Sequence, residues 1–241
     1  MHLLRSRMRL IRFVSHNEPL ANPFTEPLSV CPMDTYFPSH TPHLNLAATC
    51  PETQALGPGL RTALWVQGCP FRCQGCIAPD WLPLKLATLV SPAELAERIL
   101  ASPVTGLTLS GGEPMLQADA LAELVALVRS RRSIDVICFT GFHFEQLLSR
   151  PAPMRLLAQL DLLIDGPYLP ELNDDLGLRG SSNQVFHHLT DRLAGYDFAS
   201  LPRKLEVFLS DGQAFLVGLP PNSFSQAFNS ALSQVRSYVR A

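Results

Sequence analysis

No apolar run in this chain approaches the roughly 20 residues that span a bilayer, so nothing in it reads as a membrane segment. An excess of charge is missing as well. Lys and Arg number 19 against 21 Asp and Glu, a net charge of −2, and no basic stripe of the kind a nucleic-acid surface requires is present. Cysteine is scarce and poorly arranged for a disulfide framework. Of six, three crowd into one short stretch while Cys31, Cys50 and Cys138 are scattered, which suits metal binding in a reducing compartment better than cross-linking outside the cell. The expectation is a cytoplasmic protein. At 241 residues the chain suffices for one well-buried domain and is small for two.

Residues 1–40 differ from the rest. Arg5, Arg7, Arg9 and Arg12 precede the first acidic residue, Glu18, and Pro19, Pro23, Pro27, Pro32 and Pro38 break any periodicity. A transit peptide starts this way, but a disordered extension, or a mis-assigned start with Met33 as the true one, fits the composition better. From His43 the pattern is globular. Residues 44–48 alternate weakly, as a short edge strand does, and the apolar Ala63-Leu64-Trp65-Val66 predicts a buried strand over 62–67. Ser91-Pro92-Ala93-Glu94 has the form of a capping box with proline at the first helical position. Strands are expected at 104–110, 134–140 and 162–165. A helix is expected at 117–130, where Leu121, Leu124, Val125 and Val128 share one face. Short helical pieces at 144–148 and 154–160 are set apart by Pro151 and Pro153. Asp211-Gly212 between 204–209 and 214–219 signals a hairpin, and 223–239 a closing helix. No internal repeat is present.

Strands alternating with helices imply an α/β fold with parallel pairing and right-handed crossovers. Reactive loops then gather at the carboxyl ends of the strands. The cysteine loop, Gly111-Gly112, Thr140-Gly141 and Asp165-Gly166 all stand where an apolar strand ends.

The loop after the first buried strand holds Cys69, Cys73 and Cys76, spaced C-x3-C-x2-C. A closed zinc site takes four ligands, usually as two separated pairs. Here the local unit is a triad with no second pair, although His40, His43 or His143 remains available as a fourth ligand. Iron–sulfur cubanes accept thiolates at such short spacings. Three cysteines hold three irons of a [4Fe–4S] cluster and leave one iron open. Gly68 and Gly75 let the backbone approach it. On the next strand, Gly111-Gly112-Glu113-Pro114 gives bare backbone against which a ligand can lie and, in Glu113, an acceptor for an ammonium group. Zinc and a cluster both remain open at this point, with the coupling of the two motifs favouring the cluster.

Together, C-x3-C-x2-C and Gly-Gly-Glu-Pro resemble the hallmarks of the radical S-adenosylmethionine enzymes, with Gly75 where an aromatic residue is usual. Within that superfamily the chain resembles the small glycyl-radical-enzyme activases, the anaerobic ribonucleotide reductase activating type among them, in which a glycine before the third cysteine is customary. Thr140-Gly141-Phe142, residues 162–166 and residues 179–184 are similar to the later motifs of the group. The resemblance covers roughly 43–220. It implies a partial, open (β/α)6-type barrel of mostly parallel strands with a C-terminal β-hairpin and helix, residues 41–241 forming the radical S-adenosylmethionine domain.

It also implies one [4Fe–4S] cluster on Cys69, Cys73 and Cys76, since Cys31 and Cys50 are too few to build another. S-adenosylmethionine is expected on the open iron, with Gly111, Gly112, Glu113 and Pro114 at its amino end and Gly75, Cys76 and Ile77 bordering the adenine. Thr140 and Gly141 are further candidate contacts. Reductive cleavage then gives a 5′-deoxyadenosyl radical that abstracts hydrogen from a glycine of a partner glycyl radical enzyme. The electron comes from a flavodoxin- or ferredoxin-type donor. Chemistry carried by such a cofactor agrees with the lack of an evident acid–base pair or catalytic triad. Two other readings stand beside this one: a radical enzyme acting on a small molecule, resembling the 7-carboxy-7-deazaguanine synthases, and a non-catalytic zinc- or cluster-binding module. His187, His188 and Cys138 are read as structural.

Overall fold

The computed structural model describes residues 43–210, 213–222 and 224. The expected extension over 1–40, the Asp211-Gly212 turn and the closing helix at 223–239 lie outside the described residues or almost wholly so.

The described strands are β1 (Leu44–Thr53), β2 (Arg61–Val66), β3 (Thr88–Val90), β4 (Gly106–Gly111), β5 (Asp135–Phe139), β6 (Leu162–Asp165), β7 (Val185–His188), β8 (Leu205–Ser210) and β9 (Gln213–Gly218). The first seven form one sheet in the order β3-β1-β2-β4-β5-β6-β7. Its centre, β2-β4-β5-β6, is parallel, while β1, β3 and β7 pair antiparallel at the flanks. The architecture is therefore mixed α/β with a parallel core.

Helices α1 (Pro92–Leu100), α2 (Ala118–Arg129), α3 (Phe144–Leu147) and α4 (Pro151–Leu157) lie in the connections between strands. Strand alternation splits the core in two. Leu64 and Val66, Leu107 and Leu109, Val136 and Cys138, and Leu163 face α1, α2 and α4 in the main cluster. The intervening Ala63 and Trp65 meet Phe215 and Val217 of the β8-β9 hairpin, and Ile137, Leu162 and Ile164 meet Leu193 and Phe198. Burial on both faces explains why the central strands read as unbroken apolar runs. On α2, Leu121, Leu124, Val125 and Val128 are fully buried, each stabilising by about 1.5–3 kcal/mol.

Local signals behave as their chemistry dictates. Ser91 Oγ accepts from the backbone N–H of Glu94 and Pro92 opens α1, because a first-turn N–H has no helical acceptor to lose. The same reason corrects one expectation. Pro151 and Pro153 do not separate two helices but lie inside the first turn of α4. A second correction concerns the first strand. It is ten residues long and sits second from the edge, because β3 adds to it at Leu44, Asn45 and Leu46. The expected hairpin is present, with Leu205 opposite Gly218 and Ser210 opposite Gln213.

Candidate functional site

The parallel register Val66↔Gly111 puts the end of β2 beside the end of β4. From there the backbones stay joined: Gly112 N donates to Val66 O at 2.7 Å and Glu113 N to Gly68 O at 2.8 Å. The residue before Cys69 is thus bonded directly to the Gly-Gly-Glu-Pro turn. A Cβ on Gly111 would stand 2.3 Å from Val66 N, and one on Gly112 would stand 2.2 Å from Gly68 O. Gly111 also has φ +111°, which side-chain-bearing residues rarely adopt. The pair is bare because β2 leaves no room there.

Other contacts fix the cysteine loop. Gly68 N donates to Trp81 O at 2.8 Å and Cys69 N to Leu82 O at 3.0 Å. Buried Gln67 sends its amide to Trp81 O and Pro83 O, at 3.2 and 2.7 Å. Gln117, at the foot of α2, ties β1 to β2 by donating to Asn45 O and Gln67 O. Phe71 stands edge-on to Phe142 at 4.8 Å and fills the space over Gly141. Cys69, Cys73 and Cys76 are half-buried free thiols. Burial pushes each thiol up, and the Glu113 carboxylate adds to the effect at Cys69 and Cys73. Bound iron would supply the positive charge that such buried thiolates otherwise lack.

Among the described residues no three of His, Cys, Asp and Glu converge closely enough to hold one metal ion. Three thiols on one short loop, with no second pair beside them, suit a cluster in which each thiolate takes its own iron. His143, a candidate fourth ligand, stands at the N-cap of α3, where its backbone N–H donates to Gln146 Oε1, and one of its ring carbons lies 3.7 Å from where a Gly166 Cβ would be.

Glu113 is the polar centre of the rim. Its carboxylate is almost fully buried and accepts from Met115 N at 2.9 Å, Thr140 Oγ1 at 2.8 Å and Gly141 N at 2.8 Å. Burial raises its pKa to about 7 against those three hydrogen bonds, which pull it down. Thr140 and Gly141 thus come together with Glu113 through its side chain. Pro114 is buried in the 3-10 turn that Glu113 caps, whereas Gly75 and Ile77 are exposed.

Farther along the rim, Asp165 Oδ2 accepts from Phe144 N at 2.6 Å, and Oδ1 is buried without a hydrogen-bond partner among the described residues. His187 stacks on Phe144, with Nε2 3.2 Å from Asp165 Oδ2 but out of line for a hydrogen bond. In the 179–184 loop, Ser181 and Gln184 are buried. Gln184 accepts from Gly180 N and donates to Gly166 O, Asn183 donates to Pro167 O, and Leu169 N donates to Ser181 Oγ. Arg203 donates to the carbonyls of Arg179 and Gly180. Much of this loop's polarity therefore holds its own shape. Gln67, Gln117 and Arg203 escape a reading by motif, since each acts across a long sequence distance and no spacing announces it.

Residues 55–187 match the family described as 4Fe-4S single cluster domain. The chain is 33% identical over 147 residues to the anaerobic ribonucleoside-triphosphate reductase-activating protein of Enterobacteria phage T4, covering 58% of this chain and 92% of that one. The protein of the same name from Salmonella typhi is 33% identical over 144 residues, covering 55% and 91%. A shorter match, 35% identical over 95 residues and 35% of this chain and 38% of the other, is to the pyruvate formate-lyase-activating enzyme of Listeria monocytogenes.

Proposed function

From a chain that belongs to the 4Fe-4S single cluster domain family, within the radical S-adenosylmethionine superfamily, we infer a glycyl-radical-enzyme activase. One observation carries the reading. The Glu113 N–H to Gly68 carbonyl bond joins the two motifs, so the cluster thiols and the Gly-Gly-Glu-Pro turn form one site at the carboxyl ends of two parallel strands.

Cys69, Cys73 and Cys76 would hold three irons of one [4Fe–4S] cluster. When bound, the cluster supplies the electron that cleaves S-adenosylmethionine to methionine and a 5′-deoxyadenosyl radical, which takes a hydrogen atom from a glycine of the partner enzyme. The protein's part is to bind, orient and exclude water. Gly111, Gly112, Glu113 and Pro114 form the rim assigned to the amino end of S-adenosylmethionine. Glu113 keeps that rim in register with Thr140 and Gly141, and Gly75, Cys76 and Ile77 would border the adenine. Phe71, packed on Gly141 and Phe142, closes one side of the loop.

The finer assignments belong to the same reading: a flavodoxin- or ferredoxin-type electron donor, a cytoplasmic location, and residues 41–241 as a single domain of open (β/α)6-barrel type. The four central parallel strands support the barrel assignment. The scattered free cysteines favour a reducing compartment. Among the described residues no helix is long and apolar enough to cross a membrane.

Anaerobic reconstitution with iron and sulfide, followed by reduction with S-adenosylmethionine present, is expected to give a brown protein that forms 5′-deoxyadenosine. Cys69→Ala, Cys73→Ala and Cys76→Ala each lose the cluster absorbance, whereas Cys50→Ala keeps it. Full cluster incorporation without 5′-deoxyadenosine would sink the enzymatic reading. Formation of 5′-deoxyadenosine with no glycyl radical signal on an added anaerobic ribonucleotide reductase would redirect it to another substrate.

A further inference from the structure

We propose that residues 81–89, the segment that returns from the cysteine loop into β3, are the docking surface for the electron donor, an acidic protein of flavodoxin type. The backbone of this segment is fastened to the sheet by buried side-chain amides. Gln67 Nε2 donates to Trp81 O at 3.2 Å and to Pro83 O at 2.7 Å. Asn45 Nδ2 donates to Lys85 O, and Asn45 Oδ1 accepts from Ala87 N, both at 2.8 Å. Gln117 steadies Asn45 in turn, accepting from its N–H at 2.8 Å and donating to its carbonyl at 3.0 Å. All three amide residues are buried. The side chains of the segment are not. Leu84, Leu86 and Leu89 are exposed, Leu86 by 75% and Leu89 by 51%, and Ile77 beside the last cysteine is exposed as well. Leucines held in water by a fixed backbone add nothing to the core. They suit an interaction surface, and their fixed backbone lowers the entropic cost of binding.

Position selects the partner. In the sheet, β1 and β3 lie on one side of β2, while β4, β5 and β6 lie on the other. The Gly-Gly-Glu-Pro turn, Thr140 and Asp165 belong to that second side. The leucine segment belongs to the first, and it is bonded to the cysteine loop through Gly68 N to Trp81 O at 2.8 Å and Cys69 N to Leu82 O at 3.0 Å. A protein seated on it approaches the thiols without covering the rim assigned to S-adenosylmethionine and the radical acceptor. Charge selects its sign. Residues 69–90 carry two cations, Arg72 and Lys85, against one acid, Asp80. Both cations are exposed, and neither is in an ion pair among the described residues. Leucines flanked by cations match the apolar dimethylbenzene edge of a flavin ringed by carboxylates, and weak electron-transfer pairs use small interfaces of this kind. In the encounter the donor is oxidised by one electron and the cluster is reduced by one.

This inference rests on the activase reading above, and the experiment separates the two. Reconstituted full-length protein is reduced either by dithionite or by flavodoxin hydroquinone. Flavin oxidation is followed by stopped-flow absorbance, 5′-deoxyadenosine by chromatography, and binding of oxidised flavodoxin by titration. The parent protein is expected to oxidise the hydroquinone at a rate that falls as salt rises. Lys85→Glu and Leu86→Glu slow that transfer by about tenfold or more and weaken flavodoxin binding, while 5′-deoxyadenosine formed with dithionite is unchanged. Met154→Glu, which alters an exposed apolar residue on α4, changes none of these readings. Transfer that both segment variants leave intact, transfer indifferent to salt, or transfer from a ferredoxin but not from flavodoxin overturns the proposal. A fully loaded parent that forms no 5′-deoxyadenosine with dithionite overturns the activase reading instead, and the docking surface then still stands or falls on the flavin oxidation rates of the two variants.

Discussion

Glu113 concentrates three hydrogen bonds on one buried carboxylate, and its proton is held more tightly in the folded chain than in the unfolded one. Between the ordinary value of 4.5 and the folded value of about 7 the native state therefore binds more protons. The apoprotein then loses stability as pH rises through that window and levels off above it. Urea unfolding of the apoprotein at a series of pH values measures this slope, and Glu113→Gln abolishes it. The same variant is also less stable by about 1–3 kcal/mol, because an amide N–H₂ offers the part-buried Gly141 N–H no acceptor and leaves it unpaired. A slope that survives the substitution assigns the titration to another group. From its motif Glu113 reads as an acceptor for a ligand's ammonium. The fold adds that the carboxylate already bridges the ends of β4 and β5, a role that depends on two residues 27 and 28 positions away.

Elements whose signals are local follow the sequence closely. Ser91 caps α1 as its spacing to Glu94 indicates, and the apolar face of α2 is buried as its period requires. Ser91→Ala is expected to cost about 1 kcal/mol in thermal or urea unfolding while cluster absorbance after reconstitution stays the same. Gly112→Ala has a different outcome. Its methyl meets the Gly68 carbonyl, so the end of β4 is pushed from the cysteine loop and the cluster content of reconstituted protein falls with stability. If Gly112→Ala loaded iron normally, the contact between the two rims would not be needed to shape the site. Less legible are the elements defined by partners. β3 is three residues long and forms because β1 offers it a free edge, and β7 gains its place only against β6.

At the scale of the whole molecule, the end of the sheet opposite the cysteines is tied by a fully buried guanidinium. Arg61 opens β2 and pairs through Nη1 with Asp135, which opens β5, at 2.5 Å; Nη1 also donates to the carbonyl of Pro58, while Nε donates to Thr108 Oγ1 and Nη2 to the carbonyl of Leu107. Burial pulls the Arg61 pKa down and Asp135 pushes it back up. Asp135→Ala leaves that charge short of its partner and is expected to cost about 3–5 kcal/mol in urea unfolding. The EPR spectrum of the folded, loaded fraction should not change, since the pair lies at the far end of the strands. The sequence by itself determined the order of strands and helices, the three thiols with their Gly-Gly-Glu-Pro companion, and the kind of cofactor they suit. Each of these is written in a spacing of a few residues, set by the period of a strand or helix or by the reach of one loop. Only the tertiary structure decided that the paired glycines make room for β2, that Glu113 joins two strand ends, and that Tyr168 lies between Gly75 and Gly180. Such contacts bring together residues dozens of positions apart, and they exist only once the sheet has fixed which loops are neighbours.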